Sequence, residues 1–198
     1  MTTEGTAVPP RPILRSERLY LHPVERDALP PSVEWFADPE FAEGYDMRAP
    51  LTLVAAEAWL EETRKQQGKT RWDFDVRLRA EGRPIGMAGF MDVDAVNGSA
   101  ELIVGIGERP LRDKGYGTEP VGILLDFGFG ELRLHRVQLR VWAFNERAIH
   151  VYERIGFRRE VAYREAHFRH GRFHDVFYLS MLADEWVALE RPTSWGLD

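Results

Sequence analysis

Two glycines follow a basic residue immediately before a predicted helix. In residues 111–121, "LRDKGYGTEPV", Arg112, Gly115 and Gly117 form the pattern Arg-x-x-Gly-x-Gly. A helix start presents unpaired backbone N–H groups and the positive end of the helix dipole, and glycine lets an anion approach that backbone closely. The loop therefore favours a diphosphate ligand. A glycine-rich turn without any ligand is the alternative that the loop alone leaves open.

The loop does not match two common phosphate-binding motifs. A dinucleotide fingerprint that starts at Gly115 requires glycine at position 120, where this chain has Pro120. No Gly-Lys-Ser/Thr follows, which argues against a Walker loop. Pro120 is compatible with a first helical turn, because its missing N–H has no intrahelical partner to lose. An adenylate-binding or dinucleotide-binding enzyme is therefore disfavoured.

A second cluster of polar residues occurs in "NERAIHVYERIGF". Asn145 is placed to cap a helix that runs from about Glu146 to Ile155 and ends at Gly156. Tyr152 lies two helical turns after Asn145, so both side chains are predicted on the same side of that helix. A helix cap and a buried structural tyrosine are the alternatives to ligand-binding roles.

Glu101 is the carboxylate best placed for acid–base chemistry. It precedes the apolar strand "LIVGIG", and strand alternation places it on the face opposite Ala100 and Leu102. A carboxylate that faces a cleft beside apolar side chains has its pKa raised toward useful base strength. A strand-end carboxylate in a salt bridge is the alternative.

Three histidines near the C-terminus form no convincing metal site. His167, His170 and His174 with Asp175 have spacings of three and four, which suit a helix. The segment instead alternates like a hairpin, so the side chains do not converge on one helix face. No metal is therefore predicted.

The remaining pattern predicts the elements that must position these residues. Strands are predicted over 18–24, 71–79, 85–93, 100–107 and 136–143, and as a final pair about the His170-Gly171-Arg172 turn. Helices are predicted within 52–68, from Thr118 onward and over 146–155, and residues 26–49 are irregular or briefly helical. The strand at 71–79 carries apolar residues on one face and charged residues on the other, which predicts a half-buried strand.

The predicted fold is an α/β (α+β) single domain. It contains a mixed, mostly antiparallel sheet of six or seven strands, with the strand at 100–107 central, flanked by three or four helices. The domain is expected over 13–188, with a disordered tail over 1–12 and a C-terminal tail or packing arm over 189–198. The start "MTTEGTAVPPRP" lacks the pattern of a signal peptide, so a cytoplasmic protein is expected.

Composition excludes several classes of protein. The 198 residues are 44% hydrophobic and 29% charged, and no apolar run approaches the roughly 18 residues of a membrane span. A net charge of −6 argues against a nucleic-acid binder. The absence of cysteine excludes disulfides, thiolate metal sites and covalent cysteine intermediates.

The loop at Arg112, Gly115 and Gly117 resembles the acyl-CoA pyrophosphate motif of the GNAT N-acetyltransferases, Arg/Gln-x-x-Gly-x-Gly/Ala. The resemblance continues through "AELIVGIG", "GYGTEPVGILLDFGFGELRLHRV", "NERAIHVYERIGF" and "HGRFHDVFYLSML", and so covers residues 14–186. Within that superfamily, the Glu after "GYGT", the "LHRV" and the "GRFHD" hairpin are similar to the RimJ/RimL-type branch of ribosomal-protein N-terminal acetyltransferases. The GNAT fold is expected accordingly.

The resemblance implies an acetyl-CoA-dependent transferase in which a primary amine attacks the thioester directly, without a metal or a covalent enzyme intermediate. The acceptor is expected to be a peptide N-terminus or a small amine such as a polyamine, an antibiotic or an amino-acid conjugate. Family members are often dimers, so the resemblance allows a homodimer. A non-catalytic acyl-CoA-binding domain is the alternative function.

The resemblance also assigns roles to residues. Glu101, acting directly or through water, is expected as the base, and Tyr152 as the proton donor to the CoA sulfur. Asn145 is expected to bind the pantetheine arm, and an N–H near the glycines of "GIG" to polarise the thioester, although these glycines come later than in the usual pattern. Trp35, Phe36, Tyr45 and Trp72 are expected either on the acceptor side or in the core. The residues expected to bind the cofactor are Gly105, Ile106, Gly107, Arg112, Lys114, Gly115, Tyr116, Gly117, Thr118 and Asn145.

Overall fold

A computed structural model of the chain describes residues 13–194, which form one mixed sheet with helices on both faces. The strand order is β1-β2-β3-β4-β5-β7-β6, and every neighbouring pair is antiparallel except the parallel pair β4–β5. The strands are β1 (Leu19–Pro23), β2 (Trp72–Leu78), β3 (Pro84–Asp94), β4 (Ser99–Ile106), β5 (Arg136–Trp142), β6 (Arg158–Arg169) and β7 (Arg172–Leu182). The predicted fold class is therefore confirmed, with β4 central.

Six α-helices accompany the sheet in the described residues, and four of them span eight residues or more. They are α1 (Leu29–Phe36), α2 (Pro39–Gly44), α3 (Leu53–Gln66), α4 (Thr118–Asp126), α5 (Glu146–Ile155) and α6 (Ala183–Ala188). A π-helical turn, Phe127–Glu131, extends α4. None of the helices in this part of the chain is both long and apolar enough to cross a membrane.

Helix α5 begins and ends where the sequence predicted. The Asn145 side chain accepts a hydrogen bond from the Ala148 backbone N–H at 3.1 Å, which satisfies one of the free donors at the helix start. Gly156 ends the helix in the left-handed conformation, with φ 118°. Glycine adopts that conformation without the strain that a Cβ atom introduces.

The prediction of a half-buried β2 was wrong, because both faces of the strand are buried. Asp73, Asp75 and Arg77 are only 5%, 1% and 1% exposed. The Arg77 guanidinium donates to the Asp75 carboxylate at 2.7 Å. It also donates, at 2.9 Å, to the carboxylate of Asp27, which precedes α1 in the chain. Gln67, at the end of α3, accepts from the Asp73 N–H at 2.9 Å. The charged face is therefore covered, and its charges are paired rather than solvated.

The main core lies between the sheet and α4. Phe90 of β3, Leu102 of β4 and Val137 of β5 are buried against the Val121 and Leu125 side chains of α4. The other face of the sheet carries α1, α2 and α3 with two smaller apolar clusters. Ser194, at the end of the described residues, also contacts α4: its backbone N–H donates to the Asp126 carboxylate at 2.6 Å.

Strands β4 and β5 separate soon after they meet. Their pairing comprises only Ser99 with Arg136, Ala100 with Val137 and Glu101 with Gln138. Beyond these pairs β5 continues to bond with β7 as far as Trp142, while β4 stays bonded to β3. A wedge-shaped opening with unpaired backbone on both sides is the consequence.

Candidate active site

A cavity of about 310 Å³ occupies the opening between β4 and β5. Its walls come from α2, the end of β4, the loop before α4, the end of β5 and the first two turns of α5. Six of the predicted site residues line it together: Gly105, Ile106, Arg112, Gly117, Asn145 and Tyr152. Residues from four separate stretches of the sequence thus converge on one space.

The loop before α4 presents a row of free backbone donors. Within residues 13–194, the N–H groups of 113–117 donate no hydrogen bond, and Gly117 begins α4 without a side-chain cap. Asp113 and Gly115 adopt left-handed φ angles of 63° and 81°, which turn the loop tightly. The Thr118 N–H, by contrast, donates to the Gly115 carbonyl at 3.2 Å, so this donor is occupied. Free backbone N–H groups at a helix start are a geometry in which proteins bind anions.

Arg18 holds the outer side of this loop, a role that sequence reasoning missed. Its guanidinium donates to the Lys114 carbonyl at 3.1 Å, lies 4.1 Å from the centre of the Tyr116 ring and pairs with Glu119. Lys114, Gly115, Tyr116 and Thr118 do not line the cavity. Arg18 and Lys114 are 96 positions apart along the chain, which explains why no local pattern revealed the contact.

Arg112 is a buried clamp in the structure. Its side chain is 8% exposed, and it donates to the carbonyls of Ile106 at 3.0 Å and Gly107 at 2.9 Å. It also pairs with Asp38 at 2.8 Å and with Glu40 at 3.0 Å. These contacts join the loop to the end of β4 and to the start of α2. The predicted contribution of Arg112 to phosphate binding is therefore limited by two carboxylates that already neutralise its charge.

Tyr152 presents a free hydroxyl to the cavity. The hydroxyl makes no hydrogen bond within residues 13–194, and burial raises the pKa of the phenol to about 12. Asn145, two turns earlier, lines the same wall, and its side-chain oxygen is held by the Ala148 N–H. The phenol stays protonated at neutral pH and is free to donate to a bound molecule.

Tyr45, at the end of α2, faces the same space. Its hydroxyl donates to the Met87 carbonyl of β3 at 3.1 Å. Burial raises the pKa of Tyr45 well above its ordinary value, and the neighbouring Tyr152 hydroxyl adds to the increase. Two neutral phenols therefore lie near each other in the cavity.

Glu101 lies at the last position at which β4 pairs with β5, where these two strands begin to separate. It is 9% exposed, and its carboxylate accepts from the Arg140 guanidinium at 2.7 Å. It does not line the cavity. The salt bridge that the sequence left open as an alternative is thus present.

The N–H of Gly107 is not available to polarise a thioester. It donates to the Ile85 carbonyl of β3 at 2.9 Å, and Gly107 lies outside the cavity lining. A Cβ atom at Gly107 would lie 2.1 Å from the Trp35 ring, so this glycine serves the packing of α1 against β4. Of the three residues of the "GIG" segment, Gly105 and Ile106 line the cavity.

Aromatic and charged side chains close the opposite end of the cavity. Trp142 donates through its indole N–H to the Glu43 carbonyl at 2.9 Å and stacks on His167 with ring centres 4.0 Å apart. The Glu43 carboxylate pairs with Arg169 and with His170 on the hairpin tip. Glu43 carried no sequence signal, because its partners lie 99 to 127 positions away along the chain.

The other predicted aromatic residues are packing residues. Trp35 and Phe36 are buried behind Tyr45 in a cluster with Phe41. Trp72 packs edge-on against the Phe127 ring, with centres 5.0 Å apart. Of the four aromatic residues placed by sequence on the acceptor side or in the core, only Tyr45 lines the cavity.

Each of the three hairpin histidines contacts a different partner. His167 is buried against Trp142, His170 bonds to Glu43 at 2.7 Å, and His174 contacts the Phe144 ring. The described part of the chain contains no group of three or more His, Cys, Asp or Glu side chains able to hold a metal ion.

The sequence and fold are similar to those of known acetyltransferases. The family model described as acetyltransferase (GNAT) domain matches residues 18–158. An uncharacterized N-acetyltransferase of Bacillus licheniformis is 28% identical over 177 residues, covering 88% of this chain and 98% of that protein. The putative ribosomal N-acetyltransferase YdaF of Bacillus subtilis is 35% identical over 113 residues, covering 57% of this chain and 61% of YdaF. The solved spermidine N-acetyltransferase of Vibrio cholerae, in complex with CoA and spermine, has a TM-score of 0.75 at 25% identity, covering 87% of this chain and 99% of that one.

Proposed function

The chain belongs to the GNAT family of acetyl-CoA-dependent N-acetyltransferases, and from this premise we propose that the cavity between β4 and β5 is where it transfers the acetyl group to a primary amine. The observation that carries the proposal is the free Tyr152 hydroxyl in a cavity that is also lined by Asp113 and Gly117, the two ends of the row of free N–H groups at 113–117. One end suits a diphosphate and the other a leaving thiolate.

The separated strands offer a place for the pantetheine arm. Because the Gly107 N–H points to β3, alternation along β4 directs the N–H groups of Val104 and Ile106 toward β5, where pairing has ended. An extended amide-containing arm is able to pair with such an edge as an added strand does. One of these two N–H groups is also our candidate for polarising the thioester carbonyl. Asn145 lies beside this path, with its amide nitrogen unbonded in the described chain.

Transfer then proceeds by direct attack. The lone pair of the neutral amine forms a bond to the carbonyl carbon of acetyl-CoA, and the bond from that carbon to sulfur breaks. The proton lost by the amine passes through water to Glu101, and Tyr152 donates its proton to the departing sulfur and regains one from solvent. The raised pKa of Tyr152, about 12, keeps the phenol protonated until the sulfur develops charge.

For the acceptor we propose a peptide N-terminus in preference to a polyamine. The three carboxylates that line the cavity are all paired: Glu40 with Arg112 and Arg147, Asp113 with Arg147, and Glu43 with Arg169. A polycation gains most from unpaired carboxylates, whereas an α-amine carries one charge. The RimJ/RimL-type resemblance and the likeness to YdaF support the same choice. Spermidine is kept as the second candidate because of the likeness to the spermidine N-acetyltransferase structure.

Calorimetric titration with acetyl-CoA, CoA and NAD tests the cofactor assignment. Micromolar binding of both CoA compounds without NAD binding is expected, and absence of CoA binding would reject the site. Thiol release with peptides of varied N-termini and with spermidine then ranks the acceptors, and the protein contributes no cysteine to the signal.

The change Tyr152→Phe separates catalysis from a binding-only domain. We expect kcat to fall about 100-fold or more, within the range for removal of a general acid, while the Kd for CoA stays within twofold. The matched control is Tyr163→Phe, because Tyr163 is 51% exposed on β6, outside the cavity. Unchanged turnover in Tyr152→Phe would remove the residue from the mechanism, and no turnover in the unaltered protein would favour the binding-only domain.

Three broader expectations are part of the proposal. The transferase domain is proposed over 13–188, although residues 189–194 also pack on it, and the tail predicted at 1–12 lies outside the described residues. A cytoplasmic compartment and a homodimer remain proposals from sequence. Light scattering coupled to gel filtration measures the oligomeric state directly.

A further inference from the structure

We infer that Tyr45 binds the acceptor amine, with its phenol oxygen accepting a hydrogen bond from the amine N–H. The inference rests on the proposed function, because it assigns a partner to the nucleophile of that reaction. Tyr45 caps the end of α2 and lines the cavity. It thereby gives the acceptor side of the site a specific polar contact.

The direction of the Tyr45 hydrogen bond decides what its oxygen is able to do. The hydroxyl proton is directed to the Met87 carbonyl on β3, 3.1 Å away. A phenol oxygen that donates its only proton still has acceptor capacity, and no other described group uses it. Burial raises the pKa of Tyr45, so the proton remains in place at working pH. The group therefore offers an acceptor, not a second acid.

Packing also fixes the position of the Tyr45 ring in the cavity. A Cβ atom built on Gly105 would lie 2.7 Å from Tyr45 Cε2 and 3.0 Å from its hydroxyl oxygen, so the ring lies directly over the β4 backbone. The Phe41 and Phe36 rings pack against it, with centres 5.0 and 5.4 Å away. Tyr45, Gly105 and Tyr152 all line the same cavity. An amine beside Tyr45 thus lies next to the thioester position.

This contact orients the attacking nitrogen. A neutral primary amine has two N–H bonds and one lone pair. When one N–H is directed at the Tyr45 oxygen, the lone pair is left to face the thioester carbon and the second N–H to face the water path to Glu101. No proton moves to Tyr45, and its role is alignment of the nucleophile.

A bisubstrate analogue tests the contact without knowledge of the natural acceptor. In the compound CoA-S-CH2-CO-NH-propyl, one N–H occupies the place of the attacking amine. We expect the Kd for this analogue to rise about 10-fold in Tyr45→Phe, as for a lost hydrogen bond, while the Kd for CoA stays within twofold. The control variant Tyr163→Phe is expected to bind both compounds as the unaltered protein does.

The outcomes distinguish this inference from the proposed function. Equal analogue affinity in the unaltered protein and in Tyr45→Phe overturns the inference, even if the variant melts at a lower temperature, because that result makes Tyr45 a purely structural residue. If the unaltered protein fails to bind CoA itself, the proposed function is wrong, and the assignment of Tyr45 is rejected with it. Selective loss of analogue binding supports both.

Discussion

Gly117 allows the phosphate-binding assignment to be tested separately from folding. It is the N-cap of α4, with φ −78° and ψ −26°, a conformation that alanine adopts without strain. A Cβ atom there would meet only the Ile106 side chain, at an ordinary 3.9 Å. Nothing in the described protein therefore requires glycine at this position, whereas a closely approaching anion does.

The expected effects of Gly117→Ala follow from that geometry. Alanine is favoured over glycine in helical backbone but is poorer at a helix N-cap, and the two terms are each about 1 kcal/mol or less and oppose each other. The free energy of unfolding should therefore change by less than about 1 kcal/mol. In the complex, the added methyl group holds the diphosphate away from the N–H row. Loss of one hydrogen bond to a charged group is worth about 1.5–3 kcal/mol, or roughly 10- to 100-fold in the Kd for CoA.

The assay pairs urea denaturation with calorimetric titration of CoA. Gly68→Ala provides the contrast, because Gly68 has a left-handed φ of 76° at the end of α3, far from the loop. That change should lower stability by about 1–2 kcal/mol and leave the Kd for CoA unchanged. If Gly117→Ala binds CoA as tightly as the unaltered protein, the N–H row is not the diphosphate site.

Two further predictions concern buried carboxylates. Glu101→Gln should lower kcat about 100-fold without weakening CoA binding, measured by steady-state kinetics and calorimetry; full activity with reduced stability would leave the Arg140 salt bridge as the only role of Glu101. Burial raises the pKa of Asp75 from 3.8 to about 6, although Arg77 opposes the increase. The folded protein therefore holds this proton more tightly than the unfolded chain, and the free energy of unfolding should fall by about 2 to 3 kcal/mol from this group as pH rises from about 4 to above 6. In Asp75→Asn, the free energy of unfolding, measured by urea titration at several pH values, should lose this part of its decrease with pH. The same pH dependence in the variant and in the unaltered protein would show that the Asp75 carboxyl titrates normally.

Local patterns predicted the local structure well where the interactions are themselves local. The cap at Asn145 joins atoms three residues apart, and the end of α5 depends on the backbone freedom of Gly156. The free N–H row before α4 follows from the loop and helix start, and the apolar residues on both faces of the strand at 100–107 correctly predicted a central β4. These features depend on neighbours within a few residues, which the sequence displays directly.

Predictions about burial were less successful. The charged residues of β2 alternate as on a solvated face, yet Asp75 and Arg77 are covered by elements that bring Asp27 onto the strand across 50 residues. Arg112 had the position of a phosphate ligand but lies between Asp38 and the carbonyls of Ile106 and Gly107. Charge and periodicity indicate which residues of a strand share a face, but they do not indicate which other elements of the protein pack on that face.

The sequence by itself determined the order of elements, the glycine-containing loop before α4, the capped α5 and the membership of a transferase family. Only the tertiary structure decided where β4 and β5 separate, that Arg112 is a clamp, and that Tyr45 lies over Gly105 in the cavity that Tyr152 also lines. The physical reason is the range of the interactions. Backbone hydrogen bonds and caps act over three or four residues, whereas the cavity is formed by side-chain packing between segments up to about a hundred residues apart.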